Sequence, residues 1–75
     1  MERYKGQDSH HSGVRAYEPL PDGIILQFQD YRKYLYDNDK PGKQHVEEMK
    51  RLAKAGSGLT TYVNQHVRDN YKRKL

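Results

Sequence analysis

Apolar and polar residues alternate most clearly from position 24. Ile24, Leu26 and Phe28 fall on one face of a period-two element, and Ile25, Gln27 and Gln29 on the other, which predicts a strand. A second alternation, Arg32-Lys33-Tyr34-Leu35-Tyr36, places Tyr34 and Tyr36 on the face of Arg32. Aromatic residues at that spacing favour a strand, paired with the first as a hairpin that turns near Gln29-Asp30-Tyr31. Upstream, Val14–Glu18 predicts a shorter first strand, stopped by Pro19 and Pro21, with Pro21-Asp22-Gly23 as the turn.

The period then changes. Asp37-Asn38-Asp39-Lys40-Pro41-Gly42 is rich in turn formers, with Asp39 placed to cap a helix and Pro41 to enter its first turn. From Lys43 apolar residues recur at Val46, Met49, Leu52 and Ala53, a helical stripe. Glu47 and Glu48 come early in it and Lys50, Arg51 and Lys54 late, as the helix dipole favours. Gly56 is a natural stop, because glycine adopts the left-handed closing conformation at little cost. Ser57 is placed to cap a second helix with the stripe Leu59, Tyr62, Val63, His66, Val67 and Tyr71. The fold class expected is α+β: a three-stranded antiparallel sheet followed by two C-terminal helices packed on one face, the face of Ile24, Leu26 and Phe28. The Gly56-Ser57-Gly58 corner lets the helices meet without side-chain collision.

Residues 1–13 carry little apolar content and are expected to form a flexible N-terminal tail, leaving residues 14–73 as one domain. With 75 residues and no cysteine, neither disulfides nor thiolate-bound metal can reinforce so small a core. Partner binding or weak dimerisation would add stability, so the expected state is monomer or weak dimer. Hydrophobic residues make up 33% of the chain and charged residues 32%, and no apolar run reaches the roughly 18 residues of a membrane span. Nor do Met1–Gly6 carry the apolar stretch of a secretory signal. A cytoplasmic protein with no membrane partner is expected.

Net charge is +4, unevenly spread. Residues 1–42 hold six Lys/Arg and seven Asp/Glu, whereas residues 43–75 hold eight and three. The basic C-terminal part suits a polyanion partner, although solvated helices often look the same.

Read in order, the chain resembles a known family. Ala16-Tyr17-Glu18 comes first, then Ile24, Leu26 and Phe28, then Tyr34-Leu35-Tyr36. Ala55, Ser57 and Gly58 follow, then Asn64, Val67 and Arg68, and Tyr71 closes the set. This order is similar to the KTSC domain, a module found at the C-terminus of some lysyl-tRNA synthetases and as small free-standing bacterial and phage proteins. The resemblance covers residues 14–73. It departs at Gln29-Asp30, where the family usually has glycine, and at Asp37–Pro41, where the family often has Val-Pro. Fusion to a tRNA-charging enzyme implies an RNA-binding role for the family.

Candidate chemistry is sparse. Tyr34 and Tyr36 could stack nucleobases on an open sheet. Should the helices cover that face, both rings are core, and the helices must cover the face of Ile24, Leu26 and Phe28. Lys50, Arg51, Lys54, Arg68, Lys72 and Arg73, with Lys74, form a basic set expected on the helices, where they would contact phosphates or simply solvate a helix face. Asn64 and Arg68 lie one turn apart, which suits a structural tie. His10, His11, His45 and His66 are too scattered for a native metal site. Ser57 lies in a helix corner rather than at a nucleophile elbow, and no carboxylate pair suggests acid–base work. The chain is therefore expected to be no enzyme and to need no cofactor. The favoured function is a small binding module for RNA or another polyanion. The alternative is a protein-interaction or regulatory accessory protein, such as a prophage would encode, that docks a protein partner through a sheet edge or the Ile25/Leu35 face.

Overall fold

The computed structural model describes residues 1–6 and 13–75. Five antiparallel strands follow one another without a crossover: β1 (Glu2–Arg3), β2 (Val14–Leu20), β3 (Gly23–Phe28), β4 (Lys33–Asp37) and β5 (Arg73–Lys74). Helix α1 (Lys43–Ala55) and helix α2 (Leu59–Tyr62) lie between β4 and β5, and α2 continues into a π-helical turn, Val63–Val67. The α+β class and the antiparallel sheet match the expectation. The strand count does not.

Both additional strands are edges. Glu2–Arg3 pairs with Tyr17 and Ala16, and Arg73–Lys74 pairs with Leu35 and Tyr34. Glu2 and Arg3, expected in a flexible tail, thus belong to the sheet, and the Tyr4 amide donates to the Arg15 carbonyl at 2.9 Å; the part of that expectation on residues 7–12, including His10 and His11, lies outside the described residues. Burial explains the recruitment of the N-terminal segment. The Tyr4 ring is 4% exposed, and its hydroxyl accepts a hydrogen bond from the Leu59 amide at 2.9 Å. Thr60 in α2 likewise accepts from the Val14 amide at 3.0 Å. These two bonds tie the short second helix to the first two strands.

The middle of the sheet follows the alternation. Ile24, Leu26 and Tyr36 are fully buried beneath the helices, with Val46, Met49, Leu59, Val63 and Val67. Pro19 does not end β2 but pairs with Ile24 inside it. A proline is tolerated there because β1 is too short to reach its outer side, so no partner needs its missing N–H. The β2–β3 hairpin then turns at Pro21 and Asp22. Gly56 (φ 76°) and Gly58 (φ 84°) both take the left-handed conformation, making the corner between the helices.

Three local expectations are corrected. Asp39 does not cap α1, whose N-terminal flank is Gly42 without a side-chain cap; Asp39 instead accepts a hydrogen bond from Lys72. Ser57 does not cap α2, because the cap position falls on Gly58 and the first amide is satisfied by Tyr4. The C-terminal helix stops at Val67, so Lys72, Arg73 and Lys74 lie beyond it, the last two in β5.

Candidate nucleic-acid interface

The two faces of the sheet differ sharply. The helices cover Ile24, Leu26 and Tyr36; the opposite face carries Ala16, Glu18, Ile25, Gln27, Lys33, Leu35 and Arg73, aligned by strand register. Ile25 and Leu35 pair directly across β3 and β4 and are only half-buried. Among the described residues no helix lies on this face. Its edges are two-residue strands of charged side chains, a form that discourages the addition of a further strand.

A concavity of about 760 Å3 opens at the β4–β5 end of this face. Ile25, Tyr31, Arg32, Lys33, Lys74 and Leu75 line it, with Met1, Glu18 and Tyr34. Tyr31 and Leu75 are among the most exposed large apolar residues, at 64% and 55%. Glu18 is the one side-chain carboxylate among the lining residues, 3.9 Å from the Met1 ammonium, against three cationic side chains. A smaller depression of about 260 Å3 shares Arg32, Tyr34 and Lys74 with the first and continues to Arg68, Asp69 and Tyr71.

Tyr31 stands at the tip of the β3–β4 hairpin. The turn is held by hydrogen bonds from the Tyr31 amide to the Phe28 carbonyl, from the Phe28 amide to the Arg32 carbonyl, and from the Arg32 amide to Asp30 Oδ1. They leave Tyr31 in the left-handed region at φ 69°, where glycine or asparagine is the usual occupant. That conformation costs a residue bearing a β-carbon about 1–2 kcal/mol. The Arg15 guanidinium lies over the ring at 4.7 Å from its centroid. An exposed contact of this kind contributes about 0.5–1 kcal/mol, which at best roughly offsets the strain. Folding alone supplies no surplus in favour of an aromatic ring here.

The residues expected at the site are dispersed. Tyr36 is fully buried, so its ring offers no face to a base. Its hydroxyl donates to the Arg68 carbonyl at 3.2 Å, and burial, with Tyr34 close by, raises its pKa above the usual tyrosine range. Tyr34 is half-buried between Phe28, edge-on at 5.6 Å, and Tyr71 at 4.7 Å. It meets Arg68 at the smaller depression.

Most of the helical cations have partners within the fold. Lys50 Nζ donates to the Leu20 carbonyl at 2.6 Å and so closes the end of β2. Arg51 donates to both Glu48 carboxylate oxygens, which lowers the Glu48 pKa and raises that of Arg51. Arg68 donates to Asn64 Oδ1 at 2.5 Å, the one-turn tie that the spacing suggested. Lys72 donates to Asp39 at 2.8 Å; that bond lowers the Asp39 pKa and raises that of Lys72. Lys54 lies apart, beside Glu2, Arg3 and Lys5. Arg73 is paired with Leu35 on the open face.

Lys33 and Lys74, like Lys54 and Arg73, make no ion pair or side-chain hydrogen bond among the described residues, and Arg32 makes only an exposed 3.5 Å contact with Asp30. Sequence reasoning missed Tyr31, Arg32 and Lys33. A tyrosine between Asp30 and Arg32 in a hairpin turn, where Gly or Asn is cheaper, was the available signal.

His45 Nδ1 lies 2.7 Å from the Tyr62 hydroxyl, and the Tyr62 and His66 rings are 4.5 Å apart, on the helix side of the molecule. Among the described residues no group of three or more His, Asp or Glu gathers as metal ligands, and no helix is long and apolar enough to cross a membrane.

Compared with protein-family models, with curated proteins and with solved structures, the chain matches none.

Proposed function

We propose that this protein is a non-enzymatic module that binds nucleic acid, with RNA as the favoured form, through the uncovered face of its sheet and the β4–β5 edge, where Lys74 lies. One observation carries the reading. Lys33 and Lys74, without ion pairs among the described residues, and Arg32, with only an exposed contact to Asp30, line one open concavity with an exposed tyrosine. Lys50, Arg51, Arg68 and Lys72 are committed to contacts within the fold, and the unpaired Lys54 and Arg73 do not line that concavity. Cations gathered at one site and little engaged within the fold are the ones best able to displace counterions from a phosphate chain. The proposed surface therefore moves from the two helices, where the sequence suggested it, to the β4–β5 end of the sheet. The KTSC resemblance points to the same class of ligand.

The test is titration of a labelled single-stranded RNA by fluorescence anisotropy at low and moderate salt. Three phosphate contacts on a single strand give a log–log salt slope of about −2, or roughly 20-fold weaker binding between 50 and 200 mM salt. Charge reversal by Lys33→Glu with Lys74→Glu should abolish binding, and Lys54→Glu should have little effect. Absence of binding at low salt, or indifference to the double reversal, would sink the proposal.

A second reading draws on Ile25 and Leu35, paired on the face that no helix covers. A protein partner seated there would be lost with Ile25→Asp and would show little salt dependence.

A further inference from the structure

We infer that the larger concavity is a subsite for one unpaired nucleobase, which makes the protein a reader of single strands rather than duplexes; the inference rests on the nucleic-acid reading of this face. Three features converge on it. Tyr31 lines the concavity, and Arg15, whose guanidinium lies over its ring at 4.7 Å, does not. Ile25 and Leu75 add apolar walls. A volume of about 760 Å3 lies within the roughly 300–1,000 Å3 typical of small-ligand sites, ample for a nucleotide.

Charge placement supplies the rest. Arg32, Lys33 and Lys74 line the same concavity, where the phosphates flanking a stacked base would run. Arg32, Tyr34 and Lys74 also line the smaller depression, together with Arg68, Tyr71 and the carboxylates of Asp30 and Asp69. A strand that placed one base against Tyr31 would meet its next phosphates at Arg32 and Lys74, the cations common to both. A duplex cannot use this arrangement, because its base planes stack on one another and only their edges reach the grooves.

Tyr31 also has the character of a residue retained for something other than folding. It is 64% exposed, sits at a positive φ, and occupies a turn that glycine would complete more easily.

The decisive experiment compares two probes on the full chain: an oligouridylate of about eight nucleotides, within the span of known single-stranded sites, and an abasic strand of equal length and charge. The base-bearing strand should bind roughly 5- to 100-fold more tightly, the range that stacking of one base confers. Tyr31→Ala should remove that preference while leaving abasic-strand affinity unchanged, and Tyr31→Phe should retain it. Ring-current shifts of the Ile25 and Leu75 methyl resonances should appear with the oligouridylate alone. Equal affinity for both strands overturns the base subsite and leaves the phosphate surface standing. Tighter binding of an RNA duplex of the same charge also overturns it. Binding of neither strand removes both proposals together.

Discussion

Replacing Tyr4 by phenylalanine removes a single oxygen and tests whether the N-terminal segment belongs to the folded unit. The ring is 4% exposed, and its hydroxyl accepts the Leu59 amide at 2.9 Å in a buried setting. Leu59 itself is fully buried and opens α2, and the flanking Gly58 has no side chain with which to accept that N–H. In Tyr4→Phe the ring still fills its space, but the Leu59 amide is left buried without an acceptor. That penalty is about 1–3 kcal/mol. A domain of 75 residues has a total stability of only about 4–11 kcal/mol, so the loss is a substantial share. For a chain of this size, each kcal/mol moves the melting temperature by about 4–8 °C. Thermal and urea unfolding followed by circular dichroism should therefore show Tm lower by roughly 4–24 °C with an unchanged denaturant slope. Hydrogen exchange should accelerate at Leu59 and its α2 neighbours more than in β3. Tyr4→Ala should cost about 3–5 kcal/mol, as expected when a large buried ring is lost. A Tyr4→Phe protein whose midpoint and Leu59 protection equal the parent's would refute the docking of this segment.

Other substitutions probe other parts of the structure. In Gly23→Ala the new β-carbon would lie 2.6 Å from the Tyr36 carbonyl oxygen in the paired strand, so a loss of about 1–3 kcal/mol is expected in urea titrations; a silent change would mean that β3 and β4 do not approach so closely. At the hairpin tip, Tyr31→Gly should be more stable than Tyr31→Ala by about 1 kcal/mol, reversing the usual order, because only glycine relieves the positive φ. Stability should also fall in alkali. The Tyr36 pKa is raised in the fold, so the unfolded chain releases that proton first. Stability is thus full below about pH 10 and declines as pH rises toward the folded value, by at most about 1.4 kcal/mol per pH unit for one hydroxyl. Tyr36→Phe should flatten the decline in urea midpoints measured at stepped pH; Tyr17 and Tyr62, also raised chiefly by burial, leave a residual slope. An identical slope in parent and variant would show that Tyr36 is not the group responsible.

The elements legible in the sequence were those long enough to repeat a period. Ile24, Leu26 and Phe28 marked β3, and Val46, Met49, Leu52 and Ala53 marked α1 over several turns, with Gly56 as its stop. The two edge strands were hidden because two residues cannot alternate. Glu2–Arg3 and Arg73–Lys74 also consist of charges, which read as tail or helix surface. Pro19 misled in another way. Its missing N–H forbids a central position, but here it faces an unoccupied side of β2, a matter of strand length rather than residue type.

The candidate site was harder to read for a related reason. Whether a lysine is available depends on which carbonyl or carboxylate the fold brings to it. Lys50 finds Leu20 and Lys72 finds Asp39 across 30 and 33 residues, and no local pattern encodes either meeting. Lys33 differs from them only in meeting no such partner among the described residues.

The bond between Tyr4 and Leu59 has a consequence for how the protein is made. Its two ends are 55 residues apart, so the Tyr4 hydroxyl emerges from the ribosome long before its donor, the Leu59 amide. The hairpins β1–β4 are local and can pair as they appear, but the buried face they create stays bare until α1 and α2 arrive. During synthesis the N-terminal segment is therefore held by its contacts with β2, the two-residue pairing and the Tyr4 amide bond to the Arg15 carbonyl among them. Chains arrested before residue 59 should lose residues 1–6 readily to an added protease, and chains released at full length should protect them. Folding closes from both ends at once, and the second helix is the latch.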